Sequence, residues 1–262
     1  MFEADITIWP FFHTESVVER RRYIIRVFLD FCLFVVIGFV HWILMLTLLQ
    51  EWFLDLVKEH SSALLLAFVF GIFLLFLFAI SKPLRKMSCV NWLITLIIVG
   101  IPTLELPNHV TPYHIKVECV VISLGVLIVS SGVLYMLAGL LIVALAFVLC
   151  TLIAALMAYD LTGTGLYLYA LATGTYILSI YSLVLHAVLD VIWGFYLFAF
   201  CIGCVVMMFL MYHVQCIMGG RRASTKLFDD KFAALLLFHE FIGLFVLTLY
   251  WRPIMQRLQL KQ

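Results

Sequence analysis

The sequence predicts an all-α integral membrane protein, a bundle of seven transmembrane helices. Two observations carry that reading. Of 262 residues, 66% are hydrophobic and 12% charged, with a mean hydropathy of +1.18. A soluble domain runs about 45–50% apolar and about 25% charged. The apolar residues also gather in runs of roughly 20, the length a helix needs to cross a hydrocarbon core about 30 Å thick. The net charge of +1 gives no footing for nucleic-acid binding, so the lipid bilayer is the partner that composition implies.

The first residues do not read as a signal peptide. Glu3, Asp5, Glu15 and Glu19 are acidic and no apolar core precedes a cleavage site. The first span is therefore expected to act as an uncleaved anchor. Residues 1–26 form a cytoplasmic tail, 27–251 the bundle and 252–262 a short C-terminal tail.

Arg20, Arg21, Arg22 and Arg26 precede a first span at about 27–49. Glu51, Asp55, Lys58 and Glu59 make a short loop before a second span at 63–80, and Lys82, Arg85 and Lys86 follow it. A third span, 90–104, stops near Pro102 and Pro107, and the next loop holds His109 and His114. Residues 117–159 are apolar apart from Glu118, far longer than one crossing at 1.5 Å per residue. They form either two spans turning near Ser130-Ser131-Gly132 or one span with an interfacial continuation. The turn Tyr159-Asp160-Leu161-Thr162-Gly163 leads to spans at 166–185 and 191–217, joined near His186 and Asp190, and to a last span at 232–251.

Cytoplasmic loops carry excess Lys and Arg. The Arg20 cluster, Lys82–Lys86 and the basic loop Arg221–Lys231 should then share one side. That needs an even number of crossings before Arg221, which holds if 117–159 crosses once; the total is then seven. Arg252, Arg257 and Lys261 fall on the opposite side, against the rule. Seven cysteines are scattered through apolar runs. Cys201 and Cys204 stand three apart, yet nothing completes a metal site, so they read as packing residues.

Several stretches resemble one family. Tyr212-His213-Val214-Gln215-Cys216-Ile217-Met218-Gly219-Gly220 is similar to the Tyr-Asp-Thr-Gln-Leu-Ile-Met-Gly-Gly signature of the transmembrane Bax-inhibitor-motif family, lifeguard branch. Phe232-Ala233-Ala234-Leu235-Leu236-Leu237-Phe238-His239-Glu240-Phe241-Ile242-Gly243-Leu244-Phe245 resembles its Phe-Ala-Ala-Leu-Asn-Leu-Tyr-Leu-Asp-Ile-Ile-Asn-Leu-Phe segment. Tyr159-Asp160-Leu161-Thr162-Gly163 is similar to Tyr-Asp-Phe-Thr-Gly, and Arg22-Tyr23-Ile24-Ile25-Arg26-Val27-Phe28 resembles Arg-x-Phe-Ile-Arg-Lys-Val-Tyr before the first span. The resemblance implies a seven-helix bundle with a central C-terminal helix in endoplasmic reticulum or Golgi membranes. It also implies a link to cell-death suppression, cell-death regulatory membrane proteins as partners, and a pH-sensitive calcium leak. The family's paired aspartates are replaced here by His213 and Glu240, and its following asparagine by Gly243.

Those two residues are the candidate sensor. Calcium takes six to eight oxygen ligands, which an imidazole and one carboxylate supply less well than two carboxylates. Protonated His213 and ionised Glu240 attract, so the site can neutralise itself as a closed or proton-sensitive plug. The plainer reading makes them hydrogen-bonded relics. A polar or ionisable group at membrane depth otherwise marks function, so His41, Gln215 and Asp160 are candidate pore-lining residues, although Asp160 also suits a turn with Thr162 and Gly163. Asp30 is expected to pair with Arg26 one turn away, His239 to sit on a helix face, and Glu118 to be interfacial. Ser182, His186 and Asp190 recur every fourth residue, but consecutive turns of one helix rarely aim three side chains at one atom.

No catalytic residue, cofactor or metal site is predicted. The function expected is an ion leak gated at His213 and Glu240. The rival is a non-conducting regulator that binds partner membrane proteins. An intramembrane metal hydrolase is the weakest reading, since it would need three converging ligands.

Overall fold

A computed structural model describes residues 16–52, 54–55, 70–71, 73–74, 77–86, 125, 128–129, 131–189 and 191–249. All its regular elements are helical, and the described residues contain no strand. They are α1 (Val17–Thr47), α2 (Lys82–Lys86), α3 (Val133–Leu156), a 3-10 turn (Leu161–Thr164), α4 (Gly165–Leu189), α5 (Ile192–Met218) and α6 (Asp230–Leu249). Four stretches are long and apolar enough to cross a bilayer: Val17–Thr47, Val133–Leu156, Trp193–Met218 and Asp230–Leu249. The expected span at 90–104, with His109, His114 and Glu118, lies outside the described residues.

Helix α1 begins ten residues before the apolar run that marks its span in the sequence. The reason is a capping box. Ser16 Oγ accepts the Glu19 N–H at 3.1 Å, and Glu19 Oε2 accepts the Ser16 N–H at 3.2 Å. Two amides that a helix start leaves unpaired are thereby satisfied, and the arginine cluster rides on the first turns of the helix. Its inner stripe then reads Tyr23, Val27, Phe31, Phe34, Trp42 and Met45, the three-and-four spacing of one helix face.

Gly132 settles where the long apolar run breaks. Its φ of +85° is costly for any residue with a Cβ, and α3 starts immediately after it. The break falls at Gly132, within the turn that the sequence offers; residues 117–124, 126–127 and 130 lie outside the described set. Helix α3 buries Met136, Val143, Phe147, Cys150 and Ala154 along one stripe. Leu134, Leu141, Leu145 and Leu149 stay exposed on the other. Such a wide apolar outer face is what lipid would cover. Helix α4 continues to Leu189, so the α4–α5 turn is shorter than the His186–Asp190 join expected.

The chain divides into two compact units. The first gathers Met1–Arg26, Leu137–Leu227 and Leu236–Gln262. Within it α6 runs antiparallel to α5: Glu240 meets His213, Gly243 lies against Val206, and Gly203 against Leu247. Phe147 of α3 meets Phe241 edge-on, ring centres 5.9 Å apart. Gly139 lets α3 approach α6, since a Cβ there would run into Thr248 Oγ1. The second unit gathers Val27–Met136 and Phe228–Leu235. There Phe232 takes Phe78 edge-on at 5.8 Å and carries the Arg85 guanidinium 4.8 Å from its ring centre.

Candidate functional site

The candidate pair forms inside the first unit. His213 sits on α5 and Glu240 on α6, and the imidazole Nδ1 bonds Glu240 Oε1. With the pair ionised, Nδ1–H donates to the carboxylate. The Glu240 side chain is about nine-tenths buried and that of His213 about three-quarters. Phe209, one turn before His213, stacks on the imidazole with ring centres 6.0 Å apart, and Tyr212 meets it edge-on at 5.5 Å. The aromatic rings restrict how the imidazole can turn, which aims Nδ1 at α6. Glu240 Oε2 is buried and has no hydrogen-bond partner among the described residues.

This arrangement has one simple chemical property. As imidazolium and carboxylate it carries no net charge, and each charge offsets the other's loss of water. Removing one proton leaves a buried net negative charge; adding one leaves a positive one. Among the described residues no three His, Cys, Asp or Glu side chains cluster as metal ligands would.

The remaining candidates make local contacts. Gln215 is fully buried. Its Oε1 accepts the Leu161 N–H at 2.9 Å, while Nε2 donates to Ala154 O at 3.2 Å and Tyr159 O at 3.1 Å. It thus ties the end of α3 and the following turn to α5, and its polar atoms face backbone. Asp160 caps the 3-10 turn: Oδ1 accepts the Thr162 N–H at 2.9 Å and the Thr162 hydroxyl at 2.6 Å, and Oδ2 accepts the Arg222 N–H at 3.2 Å. Burial pushes its carboxyl up, but those hydrogen bonds and the nearby Arg221 charge outweigh it and hold Asp160 below the ordinary aspartate value.

His41 belongs to the second unit. It is buried on α1, and its Nδ1 bonds Ile37 O at 2.8 Å within the same helix. Ser182 donates to Leu178 O at 2.9 Å, also within its own helix. The side chain of His186 and the whole of Asp190 lie outside the described residues. His239 meets Phe238 edge-on at 5.9 Å.

Sequence reasoning missed the ionic cluster at the start of α6. Lys231 Nζ lies 2.8 Å from Asp230 Oδ2 and 3.6 Å from Asp30 Oδ2, and Arg85 Nε lies 3.6 Å from Asp229 Oδ1. Asp30 thus meets Lys231, a partner that the helical spacing to Arg26 does not suggest. A lone acid in one apolar segment and a lone base at the edge of another were the available signal.

The loop after α5 was missed as well. Arg20 Nη1 donates to Thr225 O at 2.9 Å and to Ile217 O at 3.5 Å, and Tyr23 OH donates to Thr225 Oγ1 at 2.9 Å. Arg221 donates to Tyr159 O at 2.7 Å and Met157 O at 2.6 Å. The start of α1, the end of α3, the start of α4 and the end of α5 therefore meet at one end of the first unit. No family profile, curated protein or solved structure matches the chain.

Proposed function

We propose that this chain is a Bax-inhibitor-motif-like membrane protein in which His213 and Glu240 form the proton-sensitive element of an ion leak. It acts from an internal membrane, endoplasmic reticulum or Golgi, with its N-terminus cytoplasmic. The observation that carries the proposal is the His213–Glu240 contact between two apolar helices. Ionisable groups inside apolar helices are costly to bury and mark a functional site by default. The resemblance of the two flanking motifs to one family supports the same reading.

The pair closes on itself when it holds one net proton fewer than full protonation. Protonating Glu240 breaks the charge attraction and frees α6 from α5; the unpartnered Oε2 is the atom at which that proton would sit. Acid supplies that proton to Glu240, so the pathway answers to acidification. A second reading, a regulator that binds other membrane proteins without conducting, draws on the same contact: a self-neutralising pair needs no cation.

Flux of Ca²⁺ and of protons in liposomes, from about pH 6 to 8, separates them. The leak reading expects parent flux that changes with pH and is lost in Glu240→Gln. A silent parent that conducts as His213→Asp would mark a scaffold that this pair holds shut. Silence in parent and both variants overturns conduction and leaves the regulator.

A further inference from the structure

We propose that Ser224 is a phosphorylation site for an arginine-directed protein kinase, and that the turn holding it is a latch that sets how readily it is reached. The sequence there runs Arg221-Arg222-Ala223-Ser224, with guanidinium groups three and two residues ahead of a hydroxyl. Kinases choose substrates by such charge patterns. Carboxylates lining a substrate groove take each planar guanidinium fork in a fixed geometry.

The pattern falls where a kinase can use it. Residues 219–229 join α5 to α6 without helix, and a kinase groove takes an extended segment, which a helix would withhold. Arg222 is exposed and Ser224 partly so. Gly219 and Gly220, with φ of +71° and +69°, change conformation cheaply and give the segment a hinge. Ser224 borders a cleft of about 510 Å³ with Arg21, Gly219 and Gly220, so there is room beside it.

Two neighbouring hydroxyls compete for the phosphate. Thr225 has Arg222 three residues ahead and so meets a looser form of the pattern. Its Oγ1 donates to Cys216 O at 3.2 Å and accepts the Tyr23 hydroxyl at 2.9 Å, and its N–H donates to the same carbonyl at 3.0 Å. Ser224 Oγ makes no hydrogen bond among the described residues, so no bond is lost when it is presented.

Four bonds close the latch. Arg221 holds Tyr159 O and Met157 O, the Arg222 N–H holds Asp160 Oδ2, and the Ala223 N–H holds Thr162 Oγ1 at 3.0 Å. Arg221 is thus turned inward, and a kinase takes it only when the turn opens by local unfolding. In the transfer, Ser224 Oγ attacks the γ-phosphorus of ATP. That O–P bond forms, the bond from the γ-phosphorus to the β,γ-bridging oxygen breaks, ADP leaves, and the hydroxyl proton passes to the kinase's catalytic aspartate.

The inference rests on the cytoplasmic placement of this loop, the side that holds ATP. The full chain in detergent is incubated with the catalytic subunit of cyclic-AMP-dependent kinase and Mg²⁺-ATP, and the modified residue is mapped by mass spectrometry. The parent should take up phosphate at Ser224, and Ser224→Ala none. Arg222→Gln should slow uptake about tenfold with an unchanged melting midpoint, since its side chain holds no part of the latch. Thr162→Val, which deprives the Ala223 N–H of its partner, should quicken uptake about fivefold. Phosphate on Thr225 in place of Ser224, an Arg222→Gln rate equal to the parent's, or no uptake in any chain overturns the site. A Thr162→Val rate equal to the parent's overturns the latch. Microsomes sealed with the cytoplasmic face outward test the placement separately: uptake that waits for detergent puts the loop in the lumen, and overturns that placement and the proposal with it.

Discussion

The Gln215 side-chain amide takes the backbone N–H of Leu161 at 2.9 Å while reaching Ala154 O and Tyr159 O with its other end. Replacing it by leucine keeps the volume and removes the partner of one buried donor, the Leu161 N–H, and of one carbonyl, Ala154 O, while Tyr159 O keeps its bond from Arg221. Each unmet buried group costs about 1–3 kcal/mol. Gln215→Leu should therefore destabilise the protein by about 2–4 kcal/mol, read as a lower thermal midpoint in detergent. An unchanged midpoint would refute the clamp.

Asp160 gives a pH test. Its folded-state pKa lies below the ordinary 3.8, so its stabilisation is complete above that value and fades as pH falls through the lowered one. Asp160→Asn keeps the shape and removes the charge. The variant should be less stable than the parent at neutral pH, and the gap should close on strong acidification. A gap that persists at the lowest pH would mean that the carboxylate charge contributes nothing.

Gly219 and Gly220 both have positive φ, +71° and +69°. A Cβ on Gly219 would come within 2.9 Å of Arg20 Nε, whereas one on Gly220 meets nothing within 4 Å. Gly220→Ala should show the backbone penalty alone, about 1–2 kcal/mol. Gly219→Ala should lose more, by about 1 kcal/mol for the displaced Arg20. Equal losses would show that Arg20 yields freely.

His213→Asp sets two carboxylates face to face, which raises the energy of the ionised state. At pH 7.5 the variant should melt below the parent, and millimolar Ca²⁺ should raise its midpoint more than the parent's. A midpoint indifferent to pH and to Ca²⁺ would separate the pair from the folding energetics.

The sequence made helix ends legible where a specific residue enforces them. Gly219 stops α5 and the Asp160-Leu161-Thr162 turn separates α3 from α4, as their residue types suggest. Helix α1 starts ahead of the expected span because apolarity marks where a helix can enter lipid, not where it begins. The Ser16–Glu19 box was the better signal. His213 and Glu240 were visible as ionisable residues in apolar runs, and their antiparallel helices bring them together. Gln215 was visible as a polar residue in an apolar run, but backbone partners leave no mark in a sequence, so its use as a clamp was not. The Lys231–Asp30 approach joins residues distant in the chain and carries no periodicity at all.

Arg20, Gln215 and Arg221 fasten their end of the first unit by gripping main-chain atoms of residues 154, 157, 159, 161, 217 and 225. Any amino acid at those six positions presents the same carbonyl, and any but proline the same amide. Over evolutionary time the gripped segments are free to drift while the three gripping side chains stay fixed. Chains descended from a common ancestor with this one should then be traced by an arginine, a glutamine and a second arginine at matching places, amid surroundings that have lost their likeness.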